Sequence, residues 1–138
     1  MKLVLDTNIL VSSLLTHGTP PDLLYRAWET GRLTLVTSPR QIDELTRVLT
    51  YEKLRPYIQP IEASLLLENL DSMAVIVEPS EPRTESTEPD DNWILANAIW
   101  SQADFIVTGD KGHLLNLGSI HGIPILTARE AAIRLGLG

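Results

Sequence analysis

Four carboxylates stand where a chain of this pattern can bring them to one place. Asp6 directly follows the apolar run at residues 3–5, and Asp110 follows the run at residues 105–107 after only Thr108 and Gly109. Both runs read as short strands buried on two faces. Glu44 lies in the second turn of a helix that Ser38 caps and Pro39 opens. Asp91 begins another helix, in "DDNWILANAI", where its charge suits the helix dipole. Taken singly, each acid has a plain reading: Asp6 as the cap of a helix starting near Asn8, Asp91 as an N-cap, Glu44 as a solvated helix acid. Together they read differently. Two like charges ~4 Å apart repel by roughly 4 kcal/mol at an effective dielectric of 20, so four of them at one edge need a cation. Hard oxygen donors select Mg2+ or Mn2+ over zinc. Such ions can activate an attacking water and stabilise the leaving oxygen of a phosphodiester.

The elements that must hold these acids alternate along the chain. Strands are expected at residues 3–5, 33–37, 74–77, 105–107 and 123–126. Between them come helical patterns. Pro20-Pro21-Asp22 opens one that Gly31 ends, with Leu23, Leu24, Ala27 and Trp28 on one face. The Ser38-Pro39 helix carries Ile42, Leu45, Val48 and Leu49, and Pro60 opens a third through Leu70. The helix that starts at Asp90 or Asp91 runs to about Gln102, and Thr127 caps the last. Residues 51–59 and 78–89 read as connections. Strands alternating with helices predict a three-layer α/β/α sandwich around a five-stranded parallel sheet, as a single domain over residues 1–138. Ligands of such sheets bind beyond the carboxyl ends of the strands, which is where Asp6 and Asp110 fall.

Composition narrows the chemistry further. No cysteine is present, so disulfides and thiolate metal sites are excluded. His17, His113 and His121 are too scattered for a metal site or catalytic pair, and no serine has the context of an activated nucleophile. No apolar run approaches the roughly 20 residues that span a bilayer, and the start lacks a signal-peptide pattern. A cytoplasmic protein without a membrane partner is the expectation. The net charge of −7 argues against a broad polyanion-binding surface. Arg26, Arg32, Arg40, Arg47, Lys53 and Arg55 nevertheless gather before residue 57, while acids crowd residues 78–91. Trp28, Trp93 and Trp100 are read as core or interface packing rather than base-stacking residues.

The ordered set "LDTNIL", "SPRQIDELTRVL", "EPDDNWILANA", "ADFIVTGDKGHLLNL" and "GIPILTAREAAIRL" resembles PIN-domain proteins, and more narrowly the toxin components of toxin–antitoxin systems. The likeness spans nearly the whole chain. It implies a metal-dependent ribonuclease with Asp6, Glu44, Asp91 and Asp110 as the acidic quartet holding Mg2+ or Mn2+. Asn8 and Thr108 match supporting polar positions, and Thr7 and Asn8 would fix the turn that orients Asp6. Asp90 would replace Asp91 if the helix began one residue earlier. The likeness departs at Glu88, where many relatives have Asp. It also implies an RNA substrate, a cognate antitoxin and a homodimer. Arg40 and Arg47 flank Glu44 at helical spacing, so RNA is expected along a rim of Arg40, Arg47, Lys53 and Arg55. Two competing readings are a PIN scaffold that binds RNA or a partner without cutting, and a receiver-like phosphoacceptor domain.

Overall fold

Short apolar strands with side chains alternating between two hydrophobic layers build the centre of the molecule. The computed structural model describes residues 1–109 and 114–137. The strands are β1 (Lys2–Leu5), β2 (Thr34–Thr37), β3 (Val75–Ile76), β4 (Phe105–Val107), β5 (Ser119–Ile120) and β6 (Ile123–Leu126). The helices are α1 (Thr7–Leu15), α2 (Pro20–Glu29), α3 (Pro39–Leu49), α4 (Pro60–Met73), α5 (Pro89–Ser101), α6 (Leu114–Leu117) and α7 (Ala128–Arg134). Strand order is β3-β2-β1-β4-β6-β5. All pairs are parallel except the last, β5 against β6.

Alternation along each strand makes the two layers. Leu3, Leu5, Leu35, Val107 and Leu126 pack with the apolar sides of α1, α2, α3, α4 and α7. Val4, Val36, Ile106 and Ile125 point the other way, into a core with Ile94, Leu95 and Ala98 of α5 and Leu114 of α6. A side-chain period of two on a doubly covered sheet gives this division directly. The three-layer architecture is therefore as the sequence indicates. No helix among the described residues is long and apolar enough to cross a membrane.

Differences from the sequence reading are local. The sheet has six strands rather than five, because residues 119–120 fold back on β6 through His121 and Gly122, both at positive φ (47° and 78°). That backbone is the two-residue turn favoured by strand twist. Residues 7–15 form a helix capped by Asp6, which is the plain reading of that acid, although the helical patterns expected between the strands do not include it. Helix α1 buries Ile9, Leu10, Val11, Ser13 and Leu14, so it has little amphipathic contrast to reveal it. The edge strand β3 is only Val75–Ile76, since α4 extends to Met73. Helix α5 begins at Pro89, one residue before the earlier of the two expected starts.

Candidate active site

Parallel pairing brings β1 beside β4, with Leu5 opposite Val107, so Asp6 and Thr108 leave the sheet side by side. This is the point where the strand order reverses direction, the favoured binding crevice of an open α/β sheet. Asp6 is only 7% exposed. Its Oδ2 accepts a hydrogen bond from the buried Thr108 hydroxyl at 2.7 Å. Its Oδ1 accepts from the Asn8 backbone N–H at 3.2 Å, which caps α1. Asp6 is thus both a helix cap and a carboxylate held at a strand end. The Asn8 side chain is exposed beside it.

Glu44 reaches the same place from α3. The Thr7 hydroxyl donates to Glu44 Oε1. Behind this contact lies Gln41, which the sequence reading did not single out. Gln41 Nε2 donates to the Leu5 carbonyl at 2.6 Å and lies 3.5 Å from Thr7 Oγ1. Its Oε1 accepts from the Thr37 hydroxyl at 2.8 Å. One buried amide therefore ties α3 to the ends of β1 and β2. The available signal was positional: Gln41 lies four residues before the core residue Leu45, on the buried side of an otherwise exposed helix.

Asp90 and Asp91 occupy the second and third positions of α5 and, with Glu88, Asp6, Thr7, Asn8 and Glu44, line one cleft. Ile94, Leu95 and Ala98 face the core as the spacing requires. Asp90 is the residue hydrogen-bonded to Glu44. Asp91 accepts from the Ser86 hydroxyl at 3.4 Å. Burial lifts the Glu44 carboxyl to about 7; the hydrogen bond with Asp90 and the charges of Asp90 and Asp6 add to the rise, while Thr7 opposes it. Asp110, the fourth expected acid, lies outside the described residues, as does His113. Among the described residues, no three acids or histidines converge into a ready-made metal cage. The donor chemistry nonetheless fits a hard divalent cation. The cleft offers the carboxylates of Asp6, Glu44, Glu88, Asp90 and Asp91 beside the hydroxyls of Thr7 and Ser12, a set rich in hard oxygen donors.

The basic residues divide. Arg40 and Arg47 line a second cleft between α3, the start of α5 and residues 78–80, which shares Glu44, Asp90 and Ile94 with the first. Lys53 and Arg55, in and after a 3-10 turn at Glu52–Leu54, line neither cleft. The tryptophans divide too. Trp28 is core and Trp100 is 59% exposed. Trp93 lines the second cleft, with the Arg40 guanidinium 4.0 Å over its ring.

A family model described as PIN domain matches residues 2–112. An uncharacterized protein of Methanocaldococcus jannaschii is 32% identical over 113 residues, which is 80% of this chain and 72% of that protein. Among solved structures, the fold is similar to a chain in the crystal structure of VapBC2 from Rickettsia felis bound to a DNA fragment from their promoter. The TM-score is 0.61 at 22% identity, covering 92% of this chain and 98% of that chain. At that identity the likeness concerns the fold alone.

Proposed function

The chain belongs to the PIN-domain family, and from that membership we propose that it is a metal-dependent endoribonuclease, the toxin of a toxin–antitoxin pair. PIN domains are generally nucleases. The observation that supports the reading is the cleft at the carboxyl ends of β1 and β4, which acids from the β1–α1 junction, α3 and α5 line together. Asp6, Glu44, Asp91 and Asp110 would hold Mg2+ or Mn2+, with Asp90 a further donor next to Glu44. When bound, the ion supplies Lewis-acid activation of water and offsets phosphate charge.

The chain's own residues prepare that site. Thr108 and the Asn8 backbone hold the two Asp6 oxygens in fixed directions. Thr7 holds one Glu44 oxygen, and Gln41 fixes the turn that carries Thr7. In the metal-free cleft the Glu44 carboxyl, raised to about 7 by burial and by Asp90, carries a proton in part of the molecules at neutral pH. Cation binding would release that proton, since a carboxylate must ionise to serve as a ligand.

The partners follow from the same reading. RNA is the substrate, a small antitoxin protein the regulator, and a second copy of the chain the dimer mate. The similar fold comes from VapBC2, which supports the toxin–antitoxin assignment. The second reading is a scaffold that binds RNA without cutting it. Family membership sets aside the receiver-like alternative. The test is incubation of labelled single-stranded and structured RNA with metal-stripped protein, with EDTA, Mg2+ or Mn2+. Cutting only with metal is expected. RNA binding without metal-dependent cutting establishes the scaffold, and undiminished cutting in EDTA excludes the metal.

A further inference from the structure

The second cleft has features that the acidic site does not use. Its wall is a flat guanidinium on an indole, Arg40 over Trp93 at 4.0 Å. Its floor includes Asn97, which is 1% exposed. Asn97 Nδ2 donates to Ser38 Oγ at 3.1 Å, while Asn97 Oδ1 is a buried acceptor with no partner among the described residues. A buried acceptor of this kind is uncommon and points to a donor outside the chain. Charge then selects what fits. Asp43, Glu44, Glu78 and Asp90 outnumber Arg40 and Arg47 around the cleft, so a phosphate would meet net repulsion there. A neutral planar group with N–H donors would not. Because this cleft adjoins the acidic one through Glu44, Asp90 and Ile94, such a group would sit next to the scissile phosphate.

We propose that the second cleft is a nucleobase subsite for a single-stranded RNA, in which one base flanking the cut stacks on the Arg40–Trp93 pair and an N–H of that base donates to Asn97 Oδ1. The proposal rests on the ribonuclease reading. Stacking accounts for the residue types: any base has a π face for an indole or guanidinium plane, and Arg stacks where Lys cannot. Asn97 adds a directional contact that favours a base presenting a donor at that edge.

The experiment is an abasic scan. Labelled RNA hexamers, each lacking one base in turn, are titrated in Ca2+ against wild type, Trp93→Leu and Arg40→Lys, with folding checked by circular dichroism. In the wild type, one position should lose about five- to fifty-fold in affinity when its base is removed. Trp93→Leu should weaken the intact hexamer by a similar factor and abolish the effect of that position. Arg40→Lys, which retains the charge at an exposed site, should reduce it in part, and it carries the test if Trp93→Leu fails to fold. Uniform losses at every position, or no base-sensitive position, overturn the subsite. If the wild type still cuts RNA in Mg2+, that result overturns the subsite alone. Failure of the wild type to bind any hexamer or cut any RNA overturns both readings.

Discussion

Asp6 and Glu44 have roles in the metal-free fold that separate structure from chemistry. Asp6→Asn keeps an oxygen for the Asn8 N–H and the α1 cap, whereas Asp6→Ala removes the cap and the Thr108 contact together. Losing an N-cap costs about 0.5–2 kcal/mol. Urea unfolding should therefore show Asp6→Ala less stable than Asp6→Asn by roughly 1 kcal/mol or more, while both lose cleavage. Equal stability of the two would mean that the cap contributes nothing. Glu44 gives a pH dependence. Its folded-state value of about 7 lies above the ordinary 4.5, so the folded protein binds more protons between those limits. The stabilising contribution is full below about 4.5 and is lost as pH rises through 7. In EDTA, Glu44→Gln should flatten that part of the melting profile and raise Tm at pH 8 by roughly 2–6 °C. A variant that melts lower at pH 8 would show that the Glu44 charge stabilises the fold.

At the scale of elements, one buried amide, Gln41, adds hydrogen bonds from α3 to the ends of β1 and β2 beyond its apolar packing. Gln41→Leu would leave the Leu5 carbonyl and the Thr37 hydroxyl without their buried partner, at a cost of about 1–3 kcal/mol. It would also free the turn that holds Thr7 against Glu44. A lower melting temperature with a cleavage rate reduced by more than the unfolded fraction explains is the expected outcome; a lower Tm alone would make Gln41 purely structural. The same elements show what was legible in the sequence. Asp6, Glu44 and Asp91 could be read because strand ends and first helical turns have strong local signatures, and the Ser38 and Thr127 caps form as their positions suggest. Gln41 could not, because a single amide in a helix reads as surface until the sheet packs on it. The contact of Arg40 with Trp93 was not legible either, because aromatic spacing does not say that an arginine of α3 will lie on a ring of α5. Helix α1 lacks a polar face, and β5 is two residues long, so neither leaves a period to detect.

On the scale of the whole molecule, parallel strand order accounts for the position of the cleft, and the exposed apolar residues bear on assembly. Ile61 is 73% exposed and Leu65, one turn later on α4, is 48% exposed; Tyr57 lies just before them. If a second copy covers this face, the wild type should sediment as a dimer at tens of micromolar and Ile61→Lys with Leu65→Glu should sediment as a monomer. A monomeric wild type contradicts the homodimer. In the proposed function, acids from separate elements act as one divalent-cation site for cutting RNA. The most direct test is the single-turnover cleavage rate of a labelled single-stranded RNA as Mn2+ is titrated into metal-stripped protein, wild type beside Asp6→Asn. The expected result is no cutting without Mn2+, a saturable rise in the wild type, and a rate lower by roughly 100-fold or more in a folded Asp6→Asn, a loss of ~2.7 kcal/mol at the transition state. Equal rates and equal Mn2+ dependence in the two proteins would contradict it.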